Sequence, residues 1–178
     1  MTNRRRALLT LLLISIPVAI LARPSTQTSF EQLKSVAGQW EGKANGDQTV
    51  AVSFRVTSGG TALLSEITGK EDMISMIHMD GPGRLLLTHY CAAGNQPCML
   101  GTVSPDGRVF AFDFLDATNL PHTDDGHMKR VVISIIDPTA RADLVRRRWH
   151  TAAIHHTEEW VFVNHGKESK EVFDLHRK

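Results

Sequence analysis

The sequence predicts an all-β protein: a closed up-and-down antiparallel barrel of about ten strands, preceded by a short helix. Two observations predict this fold. After Trp40 the apolar residues recur at every second position, as in Val50, Val52 and Phe54, which is the period of a strand with one buried face. Short turns rich in glycine, proline, asparagine and aspartate separate these segments, as is typical of consecutive antiparallel strands.

Closure of the sheet follows from the number of strands. A meander of this length exposes two edge strands unless its first and last strands pair, so we expect a closed barrel. A two-sheet sandwich is the alternative. A barrel of this size can enclose a cavity for a small ligand. The predicted strands cover residues 39–44, 49–57, 61–68, 72–79, 84–91, 98–104, 108–115, 128–137, 142–152 and 157–163.

The segment before the barrel predicts one short helix. We expect it to begin at Ser29 and to end at Gly38. A serine followed three residues later by glutamine has the spacing of a capping box. Phe30, Leu33 and Ala37 fall at intervals of three and four and form one apolar face.

The N-terminus has the pattern of an export signal. Three arginines precede an uncharged run over residues 7–22, which is shorter than the roughly 20 residues of a membrane-spanning helix. We therefore expect a secreted or periplasmic protein with no stable membrane insertion after cleavage. The predicted organisation is a signal peptide (1–22), a polar leader (23–28), the barrel domain (29–165) and a C-terminal tail, frayed or helical (166–178).

The charge balance argues against a nucleic-acid partner. The chain has 20 basic and 19 acidic residues, and removing the signal takes away three arginines and no acid, so the net charge changes from +1 to −2. A nearly neutral chain has no basic field to hold a nucleic acid and no polybasic run to hold an anionic membrane. The sequence does not indicate an oligomeric state.

The two cysteines, Cys91 and Cys98, bracket a six-residue turn between two predicted strands. Opposed residues of antiparallel strands have Cα atoms roughly 4.5–5.5 Å apart, which is within disulfide reach. In an oxidising compartment we expect the two to form a disulfide. The alternatives are a thiolate metal site, which lacks further ligands, and a nucleophilic cysteine beside His89, which lacks a third, orienting group.

The stretch Gly38-Gln39-Trp40-Glu41-Gly42, after a short helix, resembles the start of calycin barrels. That superfamily includes lipocalins, fatty-acid-binding proteins and haem-binding nitrobindin-like barrels. The chain is also similar to uncharacterised exported bacterial proteins with lipocalin-like domains. The resemblance implies that the tryptophan plugs the closed end of the barrel beneath the helix. It also implies that the barrel binds a small hydrophobic or amphipathic molecule.

Arg147 and Trp149 are candidates for binding that molecule, because they share the face of a predicted strand that we expect to point inward. A buried guanidinium is costly unless it is paired, and its planar fork matches a carboxylate. In fatty-acid-binding barrels, arginines on the late strands bind the acid group of the ligand. The resemblance to those barrels implies that Arg147 binds such a group here. The alternatives are an internal partner such as Glu66 or Glu159, or a register that leaves Arg147 in solvent.

Three further ligand-binding candidates lie on apolar faces of predicted strands: Phe112, His78 and His89. We expect all three to point into the barrel. No cofactor is predicted, but haem is an alternative, because nitrobindin-like barrels hold it through one inward histidine and either His78 or His89 has suitable neighbours.

No metal site and no catalytic residue is predicted. The loop PHTDDGH offers His122, Asp124, Asp125 and His127, but its spacing matches no established ligand motif. The segment HTAAIHH offers His150, His155 and His156 as possible ligands, but it reads as a strand end and a turn. Sequence motifs for a serine nucleophile, a phosphate loop and a dinucleotide site are missing. We therefore expect a binding protein; the alternatives are an isomerase or hydrolase built in the barrel cavity, or a packed structural or interaction domain without ligand.

Overall fold

Strand pairing closes the sheet on itself. The computed structural model describes residues 25–136 and 153–178, and its strands form one closed antiparallel barrel in which each strand pairs with its neighbours in sequence and the last pairs with the first. This confirms the predicted fold class. The helix α1 spans Thr26–Leu33 and is followed by a 3₁₀ turn over Lys34–Val36. The strands are β1 Gly38–Ala44, β2 Gln48–Thr57, β3 Ala62–Thr68, β4 Met73–Met79, β5 Leu85–Tyr90, β6 Gln96–Val103, β7 Val109–Thr118, β8 His127–Ile135, β9 His155–Asn164 and β10 Lys167–Arg177.

The helix begins earlier than the sequence analysis expected. Ser25, not Ser29, is the N-cap, and its Oγ accepts a hydrogen bond from the backbone N–H of Thr28 at 3.1 Å. Ser29 lies inside the helix and is buried. The expected polar leader therefore contains the cap and the first helical turn. Among the described residues, no helix has the length and apolar character needed to cross a membrane.

The last strand comes from residues 166–178, which were expected to be a tail, so that expectation is wrong. Asn164 pairs with Lys167, and both turn residues between them, His165 and Gly166, have positive φ. Two such residues form the tight hairpin whose twist matches that of paired strands. The hairpin returns the chain as β10 alongside β9, where it also pairs with β1. The strand predicted over 142–152 lies outside the described residues.

The seam between β1 and β10 depends on a glycine. Gly42 lies opposite Leu175, and a Cβ at Gly42 would stand 1.7 Å from the carbonyl oxygen of Asp174. No side chain fits at that distance, so glycine allows the two backbones to approach each other. The GQWEG stretch thus contributes to closing the barrel.

Trp40 lies at the end of the barrel that α1 and its 3₁₀ turn cover, as the motif implied. It is 1% exposed, and its Nε1–H donates to the carbonyl oxygen of Val36 at 2.7 Å. The guanidinium of Arg177 lies 4.5 Å from the centroid of the Trp40 ring. The same guanidinium donates to the carbonyl oxygens of Ser35, Ala37 and Ala153. One side chain from the last strand therefore joins the helical cap to the barrel wall.

The predicted disulfide is absent, because the register of the β5–β6 hairpin separates the two cysteines. Cys98 pairs with Thr88, whereas the backbone N–H of Cys91 donates to the carbonyl oxygen of Asn95. The cysteines are thus three positions out of register. They also belong to opposite faces of the sheet, since adjacent positions on a strand point apart. Both are free thiols.

We expect a reducing agent to leave the melting temperature unchanged, because no bond between Cys91 and Cys98 constrains the chain. Alkylation of the unreduced, denatured protein should modify both thiols. Burial raises the pKa of the Cys91 thiol, so its alkylation in the native protein should be slow. Mass spectrometry of the alkylated chain gives the number of modified thiols. An unreduced chain that takes up no alkylating agent would contradict the observed register.

Candidate functional site

Among the described residues, the interior of the barrel is mostly apolar, and one group of buried polar side chains lies within it. Three of them share a row across three neighbouring strands, since Ser65 on β3 pairs with Ser75 on β4 and Ser75 pairs with His89 on β5. The others alternate along β9. We call the group the internal polar cluster; its members are Ser65, Ser75, His89, His156, Glu158 and Trp160.

His89 is fully buried and has one free ring nitrogen. Its Nδ1 lies 2.9 Å from the Oγ of Ser75, whereas its Nε2 has no hydrogen-bond partner among residues 25–136 and 153–178. The ring centroid of Trp160 is 5.1 Å away. Burial lowers the pKa of His89 from 6.5 to about 4, because the charged imidazolium would lose its hydration. At neutral pH the side chain is therefore a neutral imidazole with one unused polar atom.

Glu158 is the buried acidic member of the cluster. One carboxyl oxygen lies 3.0 Å from the Nε2 of His156, and the other accepts a hydrogen bond from the Nε1–H of Trp160 at 3.0 Å. Glu158 and His156 are both 0% exposed. The ring of His156 also meets the ring of Trp40 edge-on, with the centroids 4.1 Å apart. The cluster thus extends from the capped end of the barrel towards His89.

Three polar atoms of the cluster are buried with no partner in the part of the chain that the structure describes: Ser65 Oγ, His89 Nε2 and His156 Nδ1. A buried polar group left unsatisfied costs about 1–3 kcal/mol, and native proteins carry few of them. Such atoms, grouped in an apolar interior, are suited to bind a polar atom from outside the chain. Water or a ligand can supply that atom.

A pocket opens at the end of the barrel opposite α1. It has a volume of about 220 Å³ and is lined by inward side chains that include Ile67, Met73 and Phe173, with Lys70 and Glu71 among the other lining residues. We call it the mouth pocket. Ile67 and Met73 stand two positions from Ser65 and Ser75 along β3 and β4. One layer of apolar side chains therefore separates the mouth pocket from the internal polar cluster.

Of the ligand-binding candidates, the structure places two in the interior and one outside. His89 and Phe112 are inward and fully buried, as expected. His78 lies on the outer face of β4 with its Nδ1 3.1 Å from the carbonyl oxygen of Met79, so the expectation that it points inward is wrong. Arg147 and Trp149 lie outside the described residues.

The loop between β7 and β8 does not gather metal ligands. His122 is exposed, and its backbone N–H donates to the carboxylate of Asp125 at 3.1 Å. His127 is buried, with its Nδ1 bound to the carbonyl oxygen of Asp125 and its ring 4.5 Å from that of Phe114. The side chains of Asp125 and His127 are therefore engaged in local structure.

Sequence reasoning missed Ser65, Ser75, His156 and Glu158 as members of the site. Glu158 was seen to share a strand face with Trp160 and Phe162, which was the available signal. A carboxylate on an inward face needs partners, and the alternation along β9 supplies them at positions 156 and 160. The serines gave no signal, because a serine fits either face of a strand.

We expect His89 to make stability fall as the pH is lowered from about 6.5 to about 4. The unfolded chain binds a proton in this window and the folded chain does not, so the contribution is complete above pH 6.5 and is lost on acidification. The difference between the two pKa values corresponds to a loss of about 3 kcal/mol in the free energy of unfolding. Urea unfolding of the wild type and of His89→Asn at several pH values measures it, since asparagine keeps a polar atom near Ser75 and does not titrate. Parallel pH profiles for the two proteins would contradict the assignment.

Comparison with known proteins gives a fold and no function. No protein-family model and no curated protein matches the chain. Among solved structures the chain is similar to the crystal structure of Rv2717c from M. tuberculosis, with a TM-score of 0.53 and 13% sequence identity over 84% of this chain and 97% of that chain. At this identity the similarity supports the barrel fold alone.

Proposed function

We propose that this protein is an exported barrel that holds a small apolar or amphipathic molecule, with the polar end of the ligand bound by His89 and Ser65. The observation that carries the proposal is a pair of atoms, His89 Nε2 and Ser65 Oγ, that are buried without a partner among the described residues, in an interior whose described side chains are mostly apolar. Contact with the surrounding aliphatic and aromatic side chains should contribute a binding free energy of about 25 cal/mol per Å² of apolar surface buried. The polar atoms supply orientation and specificity.

Two features support a calycin-like carrier. One end of the barrel is sealed by Trp40 beneath the helix, and the other has the mouth pocket. The mouth pocket of about 220 Å³ is smaller than the roughly 300–1,000 Å³ of typical ligand sites. The mouth pocket is thus too small to hold the whole ligand. In this proposal the ligand moves past the side chains of Met73 and Phe173 and reaches the cluster.

Haem fits the described interior less well than a smaller ligand. The neutral Nε2 of His89 has the chemistry of an axial ligand, but the ring of Trp160 lies 5.1 Å away and His89 is 0% exposed. A porphyrin beside Nε2 would have to displace that ring. We therefore propose a ligand smaller than haem and no cofactor. A Soret band after reconstitution, lost in His89→Leu, would overturn this choice.

An enzyme is the second candidate, and the contact between Ser75 and His89 is the observation that favours it. A base with a pKa of about 4 is poorly matched to proton abstraction at neutral pH, which is why binding is preferred. Hydrolysis of p-nitrophenyl butyrate distinguishes the two. We expect equal background rates for the wild type and Ser75→Ala; a wild-type rate abolished by Ser75→Ala would favour the enzyme.

Calorimetric titration with decanol and with decanoate tests the binding proposal. We expect saturable binding of one molecule per chain, weakened about tenfold by His89→Leu through loss of a hydrogen bond in the interior. His78→Leu is the matched control, because it removes a histidine from the outer face of the neighbouring strand. The two ligands differ only in their polar ends, so their comparison shows whether the site prefers a neutral or an anionic group. Equal affinity in His89→Leu and the wild type, or no saturable binding, would refute the proposal.

A further inference from the structure

A second group of potential ligands lies on the outer face of the barrel, away from the interior. His155 on β9 is the cross-strand partner of His176 on β10, and Asp174 lies two residues before His176. Side chains two apart on a strand point to the same side, and cross-strand neighbours have Cβ atoms about 4.5–5.5 Å apart. The backbone therefore brings two imidazoles and one carboxylate together.

The side chains converge in a way that suits a metal ion. The Nε2 of His155 lies 2.6 Å from Oδ1 of Asp174, and the Nε2 of His176 lies 3.8 Å from the same oxygen. One ligand atom from each residue lies within 4.8 Å of the other two. The two imidazole rings are stacked, with centroids 4.2 Å apart and an interplanar angle of 20°. The three side chains therefore place two nitrogen donors and one oxygen donor close enough together to bind one ion.

The distances are close to those of a tetrahedral site. Zinc binds histidine nitrogen and carboxylate oxygen at about 2.0–2.2 Å, which puts neighbouring ligand atoms roughly 3.4 Å apart. The contact of 2.6 Å between His155 and Asp174 needs to open by about 0.8 Å, and the contact of 3.8 Å between His176 and Asp174 needs to close by about 0.4 Å. Rotation of exposed side chains allows such changes without movement of the strands.

The neighbouring charges leave the carboxylate of Asp174 available. Lys43 lies opposite Asp174 on β1, but its ammonium group donates to the hydroxyl of Thr49 at 3.0 Å. Glu41 lies opposite His176, and its carboxylate is paired with Lys178 at 3.1 Å. The two cations, Lys43 and Lys178, therefore have partners of their own.

We propose that His155, Asp174 and His176 form a surface site for a divalent transition metal of the zinc type, with water in the remaining position. Two imidazoles with one carboxylate are the donors that zinc accepts, whereas calcium and magnesium prefer oxygen ligands alone. The site uses no member of the internal polar cluster, so it is distinct from the interior site proposed above.

Zinc titration of the tag-free, metal-stripped chain against a chromogenic indicator tests the site. We expect one zinc ion per chain. Loss of a group that only orients a metal ligand already costs about 10–100-fold in affinity, so His176→Gln and Asp174→Asn should each weaken binding at least as much. His122→Gln removes an exposed histidine at the other end of the barrel and should bind zinc like the wild type.

Two further measurements make the result decisive. The metal-free melting temperatures of the variants should equal that of the wild type, because the changed side chains of Asp174 and His176 are mostly exposed. Cobalt(II) should give an intense visible absorption band, as expected for tetrahedral coordination, and the band should disappear in His176→Gln. A wild-type chain that binds no zinc, or variants that bind it as well as the wild type, would overturn the proposal.

Discussion

Trp40→Ala is expected to lower the free energy of unfolding by about 3–5 kcal/mol, the cost of deleting a buried tryptophan. The change removes the ring that fills the capped end and the hydrogen bond to the carbonyl of Val36. It also removes the surface against which the guanidinium of Arg177 lies. For a chain of this size the melting temperature should fall by about 6–20 °C.

Urea unfolding followed by circular dichroism measures the Trp40 effect. Tyr90→Ala is the matched control, since Tyr90 is an aromatic residue that is 47% exposed, and its loss should change stability by about 0.5 kcal/mol or less. Arg177→Ala combined with Trp40→Ala should cost less than the sum of the single variants, because each residue supports the other. A Trp40→Ala variant as stable as the control would contradict the role of the tryptophan in sealing the barrel.

Glu158→Leu is expected to destabilise the fold by about 3–5 kcal/mol, the cost of removing one partner from a buried polar pair. Without the carboxyl group, the Nε1–H of Trp160 and the Nε2 of His156 lose their partners in the interior. Glu158→Gln keeps the shape and an acceptor for Trp160, so it should cost about 1 kcal/mol. Chemical denaturation monitored by circular dichroism gives the comparison.

The His156→Leu, Glu158→Leu double variant tests the coupling between the two residues. Replacing a whole buried polar pair with apolar side chains is often neutral or stabilising, so the double variant should recover much of the stability that Glu158→Leu loses. Glu66→Leu, on an exposed residue of β3, is the control and should have little effect. If Glu158→Leu were at least as stable as the wild type, the carboxyl group would not be paired as described.

The barrel was predictable from the sequence because its inward faces are consistently apolar. Phe110, Phe112 and Phe114 fall on one face of β7, with Ala111 and Asp113 between them, and pair with apolar residues on β6. The last strand was missed because charged residues dominate β10 and only Phe173 and Leu175 mark its buried face. Its pairing with β1 is a tertiary effect that local alternation does not reveal.

The direction of individual side chains was harder to predict. In β4 each set of alternating residues has one polar member, Ser75 in one set and His78 in the other, so the sequence MISMIHM does not decide which face is buried. His78 was assigned to the wrong face. In β5 the alternation of Leu85, Leu87 and His89 gave the correct answer. The predicted disulfide failed because a shift in hairpin register exchanges faces, and the sequence of the turn did not fix that register.

Native mass spectrometry of the protein purified from the organism that makes it tests the account's main claim most directly. We predict the mass of the processed chain plus one small molecule, which organic solvent releases and which His89→Leu retains less well than His78→Leu. The processed chain at its own mass, with no retained molecule and no uptake of decanol on addition, would contradict the claim that the internal polar cluster binds a ligand.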